Sequence, residues 1–172
     1  MHPLLAQRLR PRVERLGYLG EFFRCAAQQP KALLAFLDLT EALKEALPDR
    51  LTEVVALTVS CVMDNAYERV QHERLCLELG LGEPWIRQVE ALSSAGEDSR
   101  LGDDEHCVQR LVVAALERNG HDTAGELAAV VGAIGHERAI AVLMLIGRYV
   151  SHAFMVSALA LEPPVPSPLE AR

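Results

Sequence analysis

The strongest constraint in this sequence is the spacing of its apolar residues. From Leu19 almost to the C-terminus they recur three and four apart, the interval that lines one face of an α-helix. Leu19, Phe22, Phe23 and Ala26 open the pattern and stop near Pro30. Leu33, Leu34, Phe36, Leu37, Leu39, Leu43 and Leu47 carry a second helix to Pro48, and a third starts near Leu51 with Val54, Val55, Leu57, Thr58 and Cys61. A fourth spans Asn65 to Leu79 and is closed by Gly80 and Gly82, because glycine accepts the left-handed backbone that ends a helix. Trp85–Leu92 follows Pro84, Ser93–Glu105 reads as a polar loop, and further helices are predicted over Cys107–Asn119, Thr123–Gly132 and His136 to about Leu161. No alternating strand pattern or hairpin turn is present, and the Val pairs at 54–55, 112–113 and 130–131 fall inside helical periods. The expected fold class is all-α.

Composition narrows the function. The chain has 172 residues, the size of one domain, with 50% hydrophobic and 5% aromatic residues. The net charge of −7 and the scarcity of aromatics argue against a nucleic-acid partner, which needs a basic stripe or stacking platforms. The longest apolar run, Ala139–Ile146, is bounded by Arg138 and Arg148 and is far short of the roughly 20 residues that span a bilayer. Arg8, Arg10, Arg12 and Arg15 occupy the place of a signal-peptide apolar region, so this stretch is expected to be a solvated helix face or a subunit contact. Cys25, Cys61, Cys76 and Cys107 form no CxxC pair and no metal-ligand or disulfide spacing. Reduced thiols in a cytoplasmic protein without metal or cofactor are the expectation. The tail EPPVPSPLEAR contains four prolines and is expected to fray or to lie along a neighbour.

Chemistry concentrates in EVVALTVSCVMDNAYERVQHERLCLELGLG, residues 53–82. Glu68 and His72 are four apart and share a helix face. Glu53 points to a similar side, but in one unbroken helix it would stand about 22 Å away. Asp64-Asn65 is a credible break, since both residues favour N-caps, and Asn65 with Glu68 is spaced like a capping box. Two readings stand at this point. Either Glu68 closes the box and its pairing with His72 is a surface contact, or two helices fold back and assemble Glu53, Glu68 and His72 into one acid/base set.

This segment resembles the signature of the carboxymuconolactone decarboxylase / AhpD-like alkylhydroperoxidase superfamily: a Glu, eleven residues, Cys-x-x-Cys, three residues and a His. Glu53 matches the Glu, Asn65 and Glu68 fall on the two Cys positions with Tyr67 between them, and His72 matches the His. The resemblance covers roughly residues 17–163, leaving 1–16 as an N-terminal extension and 164–172 as a Pro-rich tail. It implies an AhpD-like helical domain that assembles into a homo-oligomer (dimer, trimer or hexamer). The peroxidase branch cycles its cysteine pair between thiol and disulfide, with Glu and His relaying protons. Without that pair, a redox cycle at this motif is excluded. The decarboxylase branch, whose motif lacks the pair, is the nearer likeness. It implies cofactor-independent chemistry on a small carboxylate or lactone substrate, with Glu53, Glu68 and His72 catalytic and with Asn65 and Tyr67 contacting substrate. Two other readings remain open: a peroxidase-like protein using a non-CxxC thiol such as Cys61, and a non-catalytic member that binds a ligand or a partner. His152 stands with Arg148 and Tyr149 on the closing helix, where the resemblance implies that Arg148 faces an anionic substrate or a subunit boundary.

Overall fold

A computed structural model describes residues 2–92 and 99–170. Those residues form α1 (Pro3–Leu16), α2 (Glu21–Ala26), α3 (Pro30–Ala46), α4 (Asp49–Val62), α5 (Ala66–Glu78), α6 (Glu83–Glu90), α7 (Asp103–Glu117), α8 (Ala124–Ile134) and α9 (His136–Ala158), with no strand among them. The fold is all-α, as the periodicity requires.

α4 is the axis of the domain. Every residue from Leu51 to Ser60 is buried, so this helix is covered all round rather than along one stripe. α5, α6, α7 and α9 pack against it. The main apolar cluster joins α4 to Trp85, Ile86, Leu111, Val142, Leu145 and Tyr149. A second, smaller cluster gathers Leu5 and Leu9 of α1, Phe22 and Phe23 of α2, Leu33 and Leu37 of α3, Tyr67 and Val156. Thus the basic N-terminal stretch is a helix anchored by Leu5 and Leu9, both almost fully buried, and it packs on α3. α9 is apolar and long enough to cross a membrane, but 56% of its most apolar window is buried inside the domain. Packing against α3, α4 and α8, it is a core helix.

Several boundaries differ from the sequence expectation, α6 among them, which runs Glu83–Glu90 rather than from Trp85 to Leu92. α7 starts at Asp103, one turn before Cys107, because Glu105 turns back to accept the Gly102 N–H at 2.7 Å and pairs with Arg50. Of the predicted polar loop, residues 93–98 lie outside the described residues. α8 continues through Gly132 to Ile134, where Gly135 (φ 84°, ψ 164°) takes a conformation essentially reserved for glycine and redirects the chain into α9. α9 itself ends at Ala158. The Pro-rich tail lies along α5 and α6 of its own chain. The Pro166 and Leu169 carbonyls accept from Arg74 (2.9 Å) and Arg87 (3.3 Å), and Ser167 Oγ–H donates to the buried Glu73.

Candidate active site

The reversal between α4 and α5 builds the site. Asp64 adopts a left-handed conformation (φ 50°), and Asn65 caps α5 by accepting the Glu68 N–H at 3.2 Å. The reciprocal half of a capping box is missing, since the Asn65 N–H donates to the Ser60 carbonyl. The Glu68 carboxylate is therefore free to point inward. Folding α5 back along α4 brings residues 19 positions apart into contact: His72 Nδ1–H donates to Glu53 Oε2 at 2.5 Å. On its other side, His72 Nε2 stands 2.9 Å from Glu68 Oε2. One imidazole is held between two carboxylates, and all three residues are buried.

α9 completes the cluster. His152 Nε2–H donates to Glu68 Oε1 at 2.8 Å, and Arg148 Nη1 lies 3.6 Å from the same oxygen. Both α9 side chains are buried. They sit where the two apolar clusters meet: the Tyr149 ring stands edge-on to His72, and the Phe22 ring covers His152. The continuous chain Glu53–His72–Glu68–His152 thus joins three helices.

Electrostatics fix the charge states. Burial alone would raise Glu53, but the charge and hydrogen bond of His72, with Lys44 at 4.0 Å, hold it below its ordinary value of 4.5. Burial likewise opposes ionisation of Glu68, and His152, His72 and Arg148 together hold it well below the usual range. For His72, burial favours the neutral ring, but Glu53 and Glu68 outweigh it and raise the imidazole above 6.5. Burial wins at His152, which is lowered despite Glu68. These directions favour the ionised forms of Glu53 and Glu68, the charged form of His72 and the neutral form of His152.

Residues 30–97 match the sequence model of the Carboxymuconolactone decarboxylase family. No curated protein matches the chain. Among solved structures, an uncharacterised peroxidase-related protein from Ralstonia eutropha JMP134 with an alkylhydroperoxidase AhpD core superposes with a TM-score of 0.78 at 14% identity, over 92% of this chain and 84% of that one. The debrominase Bmp8, solved as a cysteine-to-alanine variant with 2,3,4-tribromopyrrole, gives 0.77 at 14% identity, over 94% and 88%. A protein of unknown function from Agrobacterium tumefaciens, proposed as the antioxidant-defence protein AhpD, gives 0.70 at 17% identity, over 82% and 96%. The family model covers residues 30–97 only, and the structural likeness shows that the chain has an AhpD-like helical fold.

The cavity and the thiols bear on what the site can do. A cavity of about 280 Å³ opens beside the cluster, with Glu68, His72, Arg148 and His152 in its wall. Lys44 and Arg74 line it, as do Arg12 from α1 and Pro164 and Val165 from the tail. Both chain ends that resemblance sets outside the domain therefore wall the cavity. Tyr67 lines it too, with its OH accepting the Phe22 N–H at 3.3 Å. A Cβ on Gly20 would fall 2.5 Å from that oxygen, so only glycine allows this approach. Asn65 does not line the cavity; its side chain is spent on the cap. Glu53 stands behind His72, away from the wall. Cys61 and Cys76 do not line the cavity either. Burial pushes the Cys61 thiol up to about 11, and burial beside Glu53 raises Cys76 further, whereas a peroxidatic thiol must ionise. Among the described residues, no group of three or more His, Cys, Asp and Glu side chains is arranged to hold a metal ion.

His152 escapes a reading by motif because it lies 80 residues beyond His72. Its signal is nonetheless in the sequence: Arg148 and His152 share one face, four apart, in an otherwise apolar helix.

Proposed function

We propose that this protein is a cofactor-independent acid/base enzyme acting on a small carboxylate or lactone substrate, in the manner of the decarboxylase branch of the superfamily it resembles. The carrying observation is His72 held between Glu53 and Glu68, with Glu68 and His72 in the wall of a cavity that also presents Lys44, Arg74 and Arg148. The fold alone does not choose the reaction, since proteins of this fold bear peroxidase-related and debrominase names.

The geometry suits delivery of a proton to carbon. As the carbon–carboxyl bond of the substrate breaks, CO2 departs and the electron pair remains on carbon as a carbanion or dienolate. His72 passes its Nε2 proton across 2.9 Å to Glu68 Oε2, and Glu68 transfers it to the carbon. Glu53 keeps the imidazole oriented and stabilises its charged form, and a proton from water restores it. The cations around the cavity attract the anionic substrate and lower the cost of the developing charge.

The test is CO2 release from a panel of lactone acids and unsaturated carboxylic acids in D2O, with deuterium located on the product carbon. Turnover with deuterium incorporation in the wild type, lost in folded His72→Ala, supports the assignment. Undiminished turnover in His72→Ala removes His72 from the mechanism. Saturable binding of panel members without turnover would place the protein among ligand-binding members instead.

A further inference from the structure

Arg148 is more elaborately held than a counter-ion needs to be. Its side chain is buried, only 6% exposed, yet lines the cavity. Nε–H donates to Thr40 Oγ1 at 3.0 Å, and Thr40 is fixed in turn by donating to the Phe36 carbonyl at 2.7 Å. The guanidinium lies over the Phe36 ring at 4.7 Å and the Tyr149 ring at 4.3 Å. Such stacking holds the planar group rigid without using its donors. Glu68 is the nearest anion, but Nη1 stands 3.6 Å from it, beyond hydrogen-bond range. The close hydrogen bond to that oxygen belongs to His152 at 2.8 Å. Nη1 is left buried with no hydrogen-bond partner. A desolvated cation with an idle donor is costly, and the planar fork is the shape that grips a carboxylate through two parallel bonds.

We propose that Arg148 anchors the carboxylate of the substrate. This rests on the acid/base reading for what happens next, but not for binding itself. A carboxylate seated on Arg148 brings a second anion beside Glu68 and takes a share of the positive charge that Glu68 had to itself. Both effects increase the proton affinity of Glu68. The proton held by His72 is 2.9 Å away, so docking draws it toward Glu68, and the site arms its acid only when substrate is present. No bond to carbon forms or breaks in this step; one proton moves from nitrogen to oxygen.

The probes are straight-chain monocarboxylates from propanoate to hexanoate and their primary amides, titrated calorimetrically into the full-length protein. The amides match the acids in shape and lack the charge. At least one acid is expected to bind about tenfold or more tighter than its amide. Arg148→Lys, which keeps the charge and loses the fork, should weaken that acid about tenfold, and folded Arg148→Met should abolish binding. Equal binding of acid and amide, absence of binding by every acid, or wild-type affinity in Arg148→Lys would each overturn the proposal; the lysine variant decides if the methionine variant does not fold. His72→Gln separates the two readings. Carboxylate binding should survive in it, and in the wild type carboxylate should shift the His72 ring signal toward the neutral form, read by NMR; a ring signal that does not move on binding would overturn the proton transfer to Glu68. Lactone acids or unsaturated acids that bind through Arg148 but are never turned over leave the anchor standing and defeat the catalytic assignment.

Discussion

Glu53→Gln tests the central contact while keeping its shape. The glutamine fills the same volume and still accepts from His72 Nδ1–H, but the contact loses its charge. Hydrogen bonds to charged groups contribute about 1.5–3 kcal/mol against about 1 for neutral ones, so the substitution should cost about 0.5–2 kcal/mol. Lys44, at 4.0 Å and partly exposed, adds little because water screens it. For a chain of this length, about 2–4 °C accompanies each kcal/mol, giving a melting temperature lower by about 1–8 °C. The pH dependence identifies the cause. His72 is raised in the folded state, so its contribution is fully present below 6.5 and is lost as pH rises through the folded value. Glu53 is lowered, so its contribution is present above 4.5 and is lost as pH falls through its folded value. The difference between wild type and variant should therefore be largest where both are charged and should shrink on either side. Calorimetry from pH 4 to 9, with an NMR titration of the His72 ring, reads both effects. The His72 midpoint should fall by about one pH unit. An unmoved midpoint, or a thermal difference that is flat across this range, would refute the argument that Glu53 holds the proton on His72.

Other outcomes follow from the same geometry. Cys61, half-buried and pushed up to about 11, should react with iodoacetamide at pH 7.5 far more slowly than the free amino acid, as quantified by mass spectrometry; rapid labelling would contradict the raised thiol. Ser167→Ala removes the donor to buried Glu73, so it should destabilise the protein by about 1–3 kcal/mol and speed proteolysis of the tail; an unchanged cleavage rate would show that the strap is not latched there. Burial and the neighbouring Glu73 raise Glu90 to about 7. A raised carboxyl stabilises most below 4.5 and loses that contribution as pH rises through about 7. In Glu90→Gln the decline in denaturant midpoint between pH 5 and 8 should flatten, and persistence of the wild-type slope would exclude Glu90 as its source.

The legible parts of this molecule are those written locally. Helix order follows from apolar spacing and from the stops at Pro30, Pro48, Gly80 and Gly82, and the contact of Glu53 with His72 follows once Asp64-Asn65 is read as a break. The parts that are not legible depend on distant partners. Proline-rich composition says that residues 163–170 cannot be helical, but not that Ser167 finds a buried Glu73. Four arginines make α1 look solvated, although Leu5 and Leu9 on its other face decide its packing. α9 is apolar nearly all round, so its period does not say which side meets α5. The capping-box spacing of Asn65 and Glu68 also misleads by half. Asn65 does cap, while Glu68 finds stronger partners than a backbone N–H.

Those partners explain how a carboxylate is held at the position that the resemblance aligns with a cysteine of the peroxidase branch. A thiol is neutral and can be buried alone, but a carboxylate cannot. α9 meets that requirement with Arg148 and His152. Glu53 and Glu68 are then balanced by His72 and Arg148, and His152 contributes a hydrogen bond without a third positive charge. Such a balance makes the residues interdependent. Glu68→Gln alone leaves Arg148 and His72 with one carboxylate between them, and breaking a buried pair in this way costs about 3–5 kcal/mol. Adding Arg148→Met removes the excess cation, so the double variant should be more stable than the sum of the single effects predicts by about 1–3 kcal/mol. Chemical denaturation of the four proteins measures that coupling. Additive losses would mean that Glu68 and Arg148 do not sense each other, and that the cysteine position was filled by a carboxylate for some reason other than this charge balance.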